Sequence, residues 1–258
     1  MTVGARIGFL GAGQMAEALI GGVLAAQLCA ADNLRATDPN PARRELMERR
    51  FGVQVDADNR ALVEWADTLV VAVKPQMCEQ VLKDLAPSCG AHLMISIVAG
   101  LRLSWFQKRL PASVRLVRVM PNAPALVGAG MSAVAAHTTA TPADLALTQR
   151  LCEAVGRAVI VEESMLDAVT GLSGSGPAFA FVAIEAMADA GVKAGLPRDL
   201  AQRVAVAAAV GAAARRQLDA AASAVSTKTR VSPPWVTVAA DAVVAATHRA
   251  QELGASCL

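Results

Sequence analysis

Short apolar runs alternate with stretches of helical periodicity through residues 6–161. Runs rich in valine, isoleucine and leucine predict buried strands, and the amphipathic stretches between them predict helices. Elements that alternate in this way are typical of an α/β domain with a largely parallel sheet. The predicted strands are 7–10, 33–38, 67–73, 92–98, 114–119, 131–136 and 158–161, and the predicted helices are 15–28, 41–50, 103–110 and 142–155, with others beginning at Asn59 and Pro75.

From residue 163 onward the pattern predicts helices only. A loop of small residues at 171–177 leads to a long helix that has Pro177 as its first residue and runs to Ala194. That helix is apolar on nearly every face, which is typical of complete burial. A second helix at 197–218 is mostly alanine and valine and can pack very closely.

We therefore expect two domains, an α/β domain at 1–162 and an all-helical domain at 163–258. Hydrophobic residues make up 54% of the chain. A monomer of this size would struggle to bury that much apolar surface, so another subunit should cover part of it. We predict a homodimer formed through the helical domain, or a larger homo-oligomer built from it.

A glycine motif joins the first predicted strand to the first predicted helix. Gly11, Gly13 and Ala16 have the G-x-G-x-x-G/A spacing of dinucleotide-binding turns. Side chains at positions 11 and 13 would keep a phosphate away from the backbone N–H groups, and Ala16 lets helix and strand pack closely. The motif predicts a Rossmann-type dinucleotide site; the alternative is an ordinary glycine-rich turn between strand and helix.

The residues after the second predicted strand bear on which nucleotide binds. Asp38 ends this strand, where an acid accepts hydrogen bonds from the adenosine ribose and favours NAD. Arg43 and Arg44 follow, and a nearby arginine can hold the 2′-phosphate of NADP. All three residues also fit the solvated start of a helix.

Two further polar residues follow predicted strands at the ligand-binding edge of the sheet. Lys74 can approach a phosphate or a ribose there, or be merely solvated. Asn122 lies between two prolines that fix its backbone, so its amide can bond a nicotinamide or a substrate, or cap a turn.

The small-residue loop Ser173–Pro177 offers hydroxyl and N–H groups at a helix N-terminus. That arrangement suits a carboxylate, since the helix dipole stabilises an anion there by about 0.3–2 kcal/mol. The alternative is a linker with an N-cap.

Composition narrows the classes of partner. The net charge is +2 with few aromatic residues and no basic block, which argues against nucleic acid and favours a small metabolite. Five scattered cysteines without a C-x-x-C pair argue against a disulfide framework and a metal site, and favour a reducing, cytoplasmic compartment. Residues 17–30 are apolar but fit a buried helix rather than a membrane segment.

Taken together, these residues resemble the Δ1-pyrroline-5-carboxylate reductase family, the NAD(P)H-dependent last enzymes of proline synthesis. The resemblance covers residues 6–233 and 241–253. It rests on the stretches 7–16, 72–75, 119–124 and, most specifically, 171–191 with its Ser-Gly-Ser-Gly-Pro-Ala core.

The resemblance implies hydride transfer to a cyclic imine, giving L-proline, with NADPH as the donor and NADH as the second candidate. A protonated imine is already an electrophile, so the reaction needs placement more than a strong general acid. None of the three histidines lies in an evident catalytic setting. The predicted cofactor site comprises Gly11, Ala12, Gly13, Gln14, Met15, Asp38, Asn59, Ala72, Val73, Lys74, Pro75, Val98, Ala99 and Asn122. The predicted substrate and catalytic residues are Glu163, Ser175, Gly176 and Thr237.

The chain departs from the family pattern near its C-terminus. Where the family carries Thr-Ser-Pro-Gly-Gly-Thr-Thr, residues 231–237 read Val-Ser-Pro-Pro-Trp-Val-Thr, and the family's next helix is missing. In the family that loop gives backbone N–H groups to the substrate carboxylate and a threonine to its ring nitrogen. Pro234 cannot donate and Trp235 is bulky, so this part of the pocket is expected to differ.

Two alternatives therefore stay open. A β-hydroxyacid dehydrogenase or related imine reductase shares the two-domain plan and places a catalytic lysine on the long helix. Lys193 is the candidate here, although its position near the helix end also suits a cation that satisfies the last carbonyls. The other alternative is a dimer that binds dinucleotide without catalysis because its substrate loop is altered.

Overall fold

The structure is a computed structural model that describes residues 4–222 and 234–256, with side chains for 4–213 and 242–255. The chain divides into two compact units, Met1–Gly174 with Val244–Leu258, and Ser175–Val243. This division lies after residue 174 rather than 162 because Leu166, which is fully buried, packs against Ala133 and Ala135 of the sheet. The functional boundary at 162/163 stays a prediction.

The first unit is built on an eight-stranded sheet with the order β3-β2-β1-β4-β5-β6-β7-β8. All neighbouring strands are parallel except β6 and β7, which are antiparallel. The strands are β1 Ile7–Leu10, β2 Leu34–Thr37, β3 Gln54–Asp56, β4 Thr68–Val71, β5 Leu93–Ser96, β6 Arg115–Met120, β7 Gly130–Ala136 and β8 Gly156–Ile160. The order of the parallel strands is that of a Rossmann-type domain.

The helices alternate with the strands as the periodicity predicted. Proline occupies the first turn of α2, α4 and α6, where its missing N–H costs nothing. The helices are α1 Gln14–Ala25, α2 Pro41–Phe51, α3 Asn59–Trp65, α4 Pro75–Leu85, α5 Leu103–Gln107, α6 Pro142–Glu153, α7 Leu166–Val169, α8 Gly176–Lys193, α9 Arg198–Ala222 and α10 Pro234–Ser256.

The hydrophobic core lies on both faces of the sheet, and β1 shows why. Ile7 and Phe9 are buried in one cluster, whereas Leu10 is buried in the other. Successive side chains of a strand point to opposite faces, so a strand covered by helices on both sides is apolar throughout. On the second face a Cβ at Gly8 would lie 2.9 Å from Leu62 Cγ, so α3 packs directly on this strand.

The second unit contains the helical hairpin α8–α9. A Cβ at Gly191 would lie 3.1 Å from the Cβ of Ala201, so the two helices approach closely. Arg198 bonds Asp189 across the turn at 2.5 Å. The prediction that the long helix is completely buried is wrong for a single chain, because Phe181 and Val182 are 69% and 71% exposed.

The predicted loop at 171–177 is also wrong. Thr170–Gly174 forms a π-helical turn, and α8 begins at Gly176, one residue before Pro177. Residues 170–174 thus continue the helical path of α7 into α8, although glycine disfavours a helix.

The altered segment near the C-terminus is helical from Pro234 onward, so 234–237 is the first turn of α10 rather than part of a loop. A proline at the first helical position is compatible with this start. Residues 231–233, and the side chain of Thr237, lie outside the described residues. Among the helices that the structure describes, none has the length and hydropathy needed to cross a membrane.

Candidate active site

A cavity of about 420 Å³ opens at the carboxyl edge of the parallel strands β1, β2 and β4. Ligands of open α/β sheets bind at this edge. The structure brings seven of the predicted cofactor residues into its lining, Gly11, Gly13, Asp38, Asn59, Ala72, Val73 and Lys74. Thr37, Pro39, Ala57, Met77 and Val81 complete the lining and were not predicted.

Gly11 is required by the protein's own backbone. Its φ is +98°, and an added Cβ would lie 2.9 Å from the carbonyl oxygen of Ala72. Its N–H donates to the carbonyl of Thr37 at 2.9 Å. The first glycine of the motif therefore makes the tight turn between β1 and α1 and lets β4 pass close beside it.

Gly13 has a different reason to be glycine. It precedes α1 in an extended conformation, and a Cβ placed there meets nothing within 4 Å. No side-chain cap bonds the N-terminus of α1 in the described structure. An open space beside uncapped N–H groups at a helix N-terminus fits a pyrophosphate, so these residues suit a dinucleotide.

Asp38 lies beside this turn with its carboxylate held by backbone groups. It accepts hydrogen bonds from the N–H of Ala12 at 3.1 Å and of Asn40 at 2.9 Å. Thr37 ends β2 just before it and donates to the Oδ1 of Asn59 at 2.6 Å. The end of β2 and the start of α3 therefore present fixed acceptors to the cavity.

The two arginines after Asp38 are engaged within the protein. Arg43 donates to the carbonyl of Ala12 and pairs with Glu17. Arg44 donates to the carbonyls of Asp38 and Pro39, at 2.9 and 3.1 Å. Neither guanidinium belongs to the cavity lining, whose charged side chains are those of Asp38 and Lys74.

Lys74 lies in the lining because β4 ends just before it. It precedes α4 in an extended conformation, and Pro75 opens that helix. Its ammonium group is therefore available to a phosphate or a ribose hydroxyl.

Seven predicted cofactor residues do not line this cavity. Ala12 is fully buried, and Val98 is buried with its N–H bonded to the hydroxyl of Ser96. The others are Gln14, Met15, Pro75, Ala99 and Asn122. Gln14 and Met15 contribute the first N–H groups of α1, so their side chains need not enter the cavity.

Asn122 makes its contacts with protein groups. Its Nδ2 donates to the Oγ and the carbonyl of Ser173, at 3.0 and 3.2 Å. Its Oδ1 accepts from the N–H of Met131 at 2.8 Å. The nicotinamide contact expected from sequence stays a prediction.

Glu163 belongs to a buried charge network. Its Oε1 accepts from the N–H of Leu103 at 2.6 Å and from Arg118 at 3.2 Å. Arg118 is only 2% exposed and also lies 3.6 Å from Asp167. The network was not predicted, and the role of Glu163 beside the substrate stays a prediction.

Ser175 and Gly176 form the start of α8. Ser175 precedes the helix, and no side-chain cap bonds this N-terminus within the described part of the chain. Because Ser175 has a helical conformation and joins the π-helical turn to α8, the carboxylate site expected at these two positions stays a prediction. Lys193 lies in the last turn of the same helix, where a cation stabilises the helix dipole.

The histidines and cysteines have structural surroundings. His92 accepts from the N–H of Gly90 at 2.9 Å and lies 3.2 Å from the carbonyl of Val63. Burial raises the pKa of the Cys89 thiol to about 11 and that of Cys152 to about 12. In the described ranges no three His, Cys, Asp or Glu residues form a group that could hold a metal ion.

Comparison with known proteins agrees with this arrangement. Residues 6–100 match a family model described as NADP oxidoreductase coenzyme F420-dependent, and residues 163–244 match one described as pyrroline-5-carboxylate reductase dimerisation. A pyrroline-5-carboxylate reductase of Synechocystis sp. is 42% identical over 208 residues, which span 81% of this chain and 78% of that protein. The chain belongs to the pyrroline-5-carboxylate reductase family.

Solved structures of the family share the fold. The pyrroline-5-carboxylate reductase of Coxiella burnetii is 28% identical with a TM-score of 0.84, over 96% of this chain and 98% of that one. The Plasmodium falciparum pyrroline carboxylate reductase, solved with NADP bound, is 26% identical with a TM-score of 0.83, over 98% and 100%. The predicted plan of a Rossmann-type domain followed by a helical dimerisation domain is confirmed.

Proposed function

We propose that this protein reduces Δ1-pyrroline-5-carboxylate to L-proline with a hydride from NADPH or NADH. Membership of the family supplies the reaction class. The observation that carries the proposal in this chain is the uncapped N-terminus of α1, with open space at Gly13. A dinucleotide pyrophosphate is the anion that fits it.

The first unit binds the nucleotide. The N–H groups that follow Gly13 hold the pyrophosphate, Asp38 accepts from the adenosine ribose, and Lys74 balances the phosphate charge. The reduced nicotinamide supplies the hydride when it is bound. Val73 and Met77 give this edge of the cavity an apolar lining.

The substrate carboxylate is bound by the start of α8. This assignment is supported by the match of residues 163–244 to the dimerisation model of the family and by the position of Ser175 and Gly176 where the π-helical turn passes into α8. A protonated cyclic imine accepts hydride at carbon without a further acid, so binding and orientation do the catalytic work. Glu163 and Thr237 are the remaining proposed contacts to the substrate.

The dimerisation model at 163–244 supports a homodimer. The exposed apolar side chains of α8, which include Phe181, Val182 and Met187, form the surface that we assign to it. Assembly beyond the dimer and a cytoplasmic location are further parts of the proposal. The location is supported by Cys29, Cys89 and Cys152, which form no disulfide in the described part of the chain.

Steady-state oxidation of NADPH and of NADH at 340 nm, with pyrroline-5-carboxylate as substrate, tests the proposal. Turnover with at least one nucleotide is expected. Calorimetric binding of nucleotide without turnover would instead favour the dimer that binds but does not catalyse.

The dehydrogenase alternative is tested by Lys193→Met in the same assay. Because Lys193 lies in the last turn of α8, we expect turnover close to that of the unaltered protein. A loss of about a hundredfold or more would indicate a catalytic lysine and contradict the proposal.

A further inference from the structure

Asn122 joins two segments that carry the family's motifs. It follows β6 and precedes the turn at 123–127, whereas Ser173 lies 51 residues later in the π-helical turn before α8. Both hydrogen bonds from the Nδ2 of Asn122 end on Ser173. The side chain is therefore committed to a protein contact on its donor side.

The acceptor side of the same amide is also committed. The Oδ1 of Asn122 accepts from the N–H of Met131, the second residue of β7, at 2.8 Å. Because the Nδ2 and the Oδ1 both have hydrogen-bond partners, these bonds determine the orientation of the amide. The side chain of Asn122 therefore links β7 to Ser173 through hydrogen bonds at both ends of its amide.

The neighbouring residues reinforce this connection. Arg118, Met120 and Asn122 alternate along the strand direction, so their side chains share one face. Arg118 contacts Glu163 and Asp167, and a Cβ added at Gly174 would lie 3.0 Å from the Cε of Met120. One face of β6 and its extension thus holds the segment 163–174 at three successive points.

The π-helical turn explains why such support is needed. π-helices are rare and occur mostly as single turns within α-helices, frequently at functional sites. Thr170–Gly174 forms one such turn, and the donated hydrogen bonds of Asn122 reach its fourth residue. Ser173 is two residues before Ser175, which we assign to the substrate carboxylate.

We propose that Asn122 is a positioning residue that fixes Ser173 and the segment leading into the substrate-binding residues Ser175 and Gly176, and that it does not contact the nicotinamide. This inference rests on the proposed function. It replaces a role in nucleotide binding with a role in substrate affinity, and the two roles give different kinetic results.

Asn122→Asp is the decisive substitution. It keeps the side-chain shape and the acceptor for Met131, but it replaces the amide donor by an oxygen that faces the Ser173 carbonyl. We expect the KM for pyrroline-5-carboxylate to rise about 10- to 100-fold. The Kd of NADPH, measured by calorimetry, should change less than about twofold.

Ser173→Ala gives a graded comparison. It removes the hydroxyl acceptor and leaves the carbonyl acceptor of Ser173, so the KM should rise only a few-fold. Asn33→Asp, on a side chain outside both sites, is the matched control and should leave KM and Kd unchanged. Circular dichroism shows whether each variant folds. If Asn122→Asp does not fold, the KM of Ser173→Ala tests the proposal instead.

Amide hydrogen exchange provides a readout that needs no turnover. Peptides that cover 171–178 should exchange faster in Asn122→Asp than in the unaltered protein or in Asn33→Asp. Faster exchange would support the inference even if the protein proved inactive, so failure of the proposed function remains distinguishable. A raised Kd for NADPH with an unchanged KM, or unchanged exchange at 171–178, would overturn it.

Discussion

Replacing Gly13 by alanine should weaken nucleotide binding without loss of stability. A Cβ at Gly13 meets no heavy atom within 4 Å, and the backbone angles, φ −66° and ψ −178°, suit any residue. Alanine is a poorer N-cap than glycine, but it also reduces the entropy of the unfolded chain, and the two effects of about 1 kcal/mol or less oppose each other. The free energy of unfolding should therefore change by about 0.5 kcal/mol at most.

The effect on binding follows from the space that the methyl group occupies. It would stand where a phosphate approaches the N–H groups of α1. Loss of one hydrogen bond to a charged group costs about 1.5–3 kcal/mol, which is about 10- to 150-fold in Kd. Isothermal titration of NADPH into both proteins measures this change.

Gly11→Ala is the matched comparison within the same turn. Its φ of +98° is costly for alanine, by about 1–3 kcal/mol. The Cβ would also lie 2.9 Å from the carbonyl oxygen of Ala72, which is backbone and cannot yield easily. Urea unfolding should show a loss of about 2–4 kcal/mol in total.

The two variants should differ in NADPH affinity and in stability. Gly13→Ala should bind weakly and unfold at the same urea concentration as the unaltered protein, whereas Gly11→Ala should unfold earlier. Unaltered NADPH affinity in Gly13→Ala would refute the assignment of the open space to a ligand.

Three other predictions concern charged side chains. Asp38→Ser removes a carboxylate beside the ribose site, so it should strengthen NADPH binding relative to NADH binding about tenfold. An unchanged ratio of the two Kd values would contradict this. Arg118→Met should lower the free energy of unfolding in urea by about 3–5 kcal/mol, since Glu163 and Asp167 lose a buried partner. A change below about 1 kcal/mol would show that these two carboxylates are solvated instead. The hydrogen bond from Arg6 lowers the pKa of Asp67, so this carboxylate stabilises the fold above its unfolded pKa and the benefit is lost as pH falls through the lower folded value. Thermal unfolding should show a small advantage over Asp67→Asn at pH 7 that disappears at the acidic end, and an advantage that grows with acid would contradict the assignment.

The parts of the fold that sequence predicted are those set by local periodicity. The strand, glycine turn and helix at 7–25 are determined by neighbouring residues, and so is the placement of Asp38 and Lys74 at strand ends. β3 was missed because it has three residues, of which only Val55 is buried, so no apolar run marks it.

The missed parts depend on contacts between residues far apart in the chain. Arg118 pairs with Glu163, which is 45 residues away in the sequence, and no local pattern predicts a buried arginine on a strand. The two bonds from Asn122 to Ser173 likewise join residues 51 positions apart, and no local pattern predicts them. The π-helical turn at 170–174 is another such case, because its small residues are equally suited to a loop.

The most direct test of the account follows the hydride itself. The purified protein is incubated with pyrroline-5-carboxylate and with NADPH that carries two deuterium atoms at nicotinamide C4. The mass of the product is then measured by mass spectrometry. The account predicts proline heavier by one mass unit, formed by the unaltered protein and strongly reduced in Gly13→Ala. Nucleotide bound in the cavity with no deuterated proline formed would contradict it.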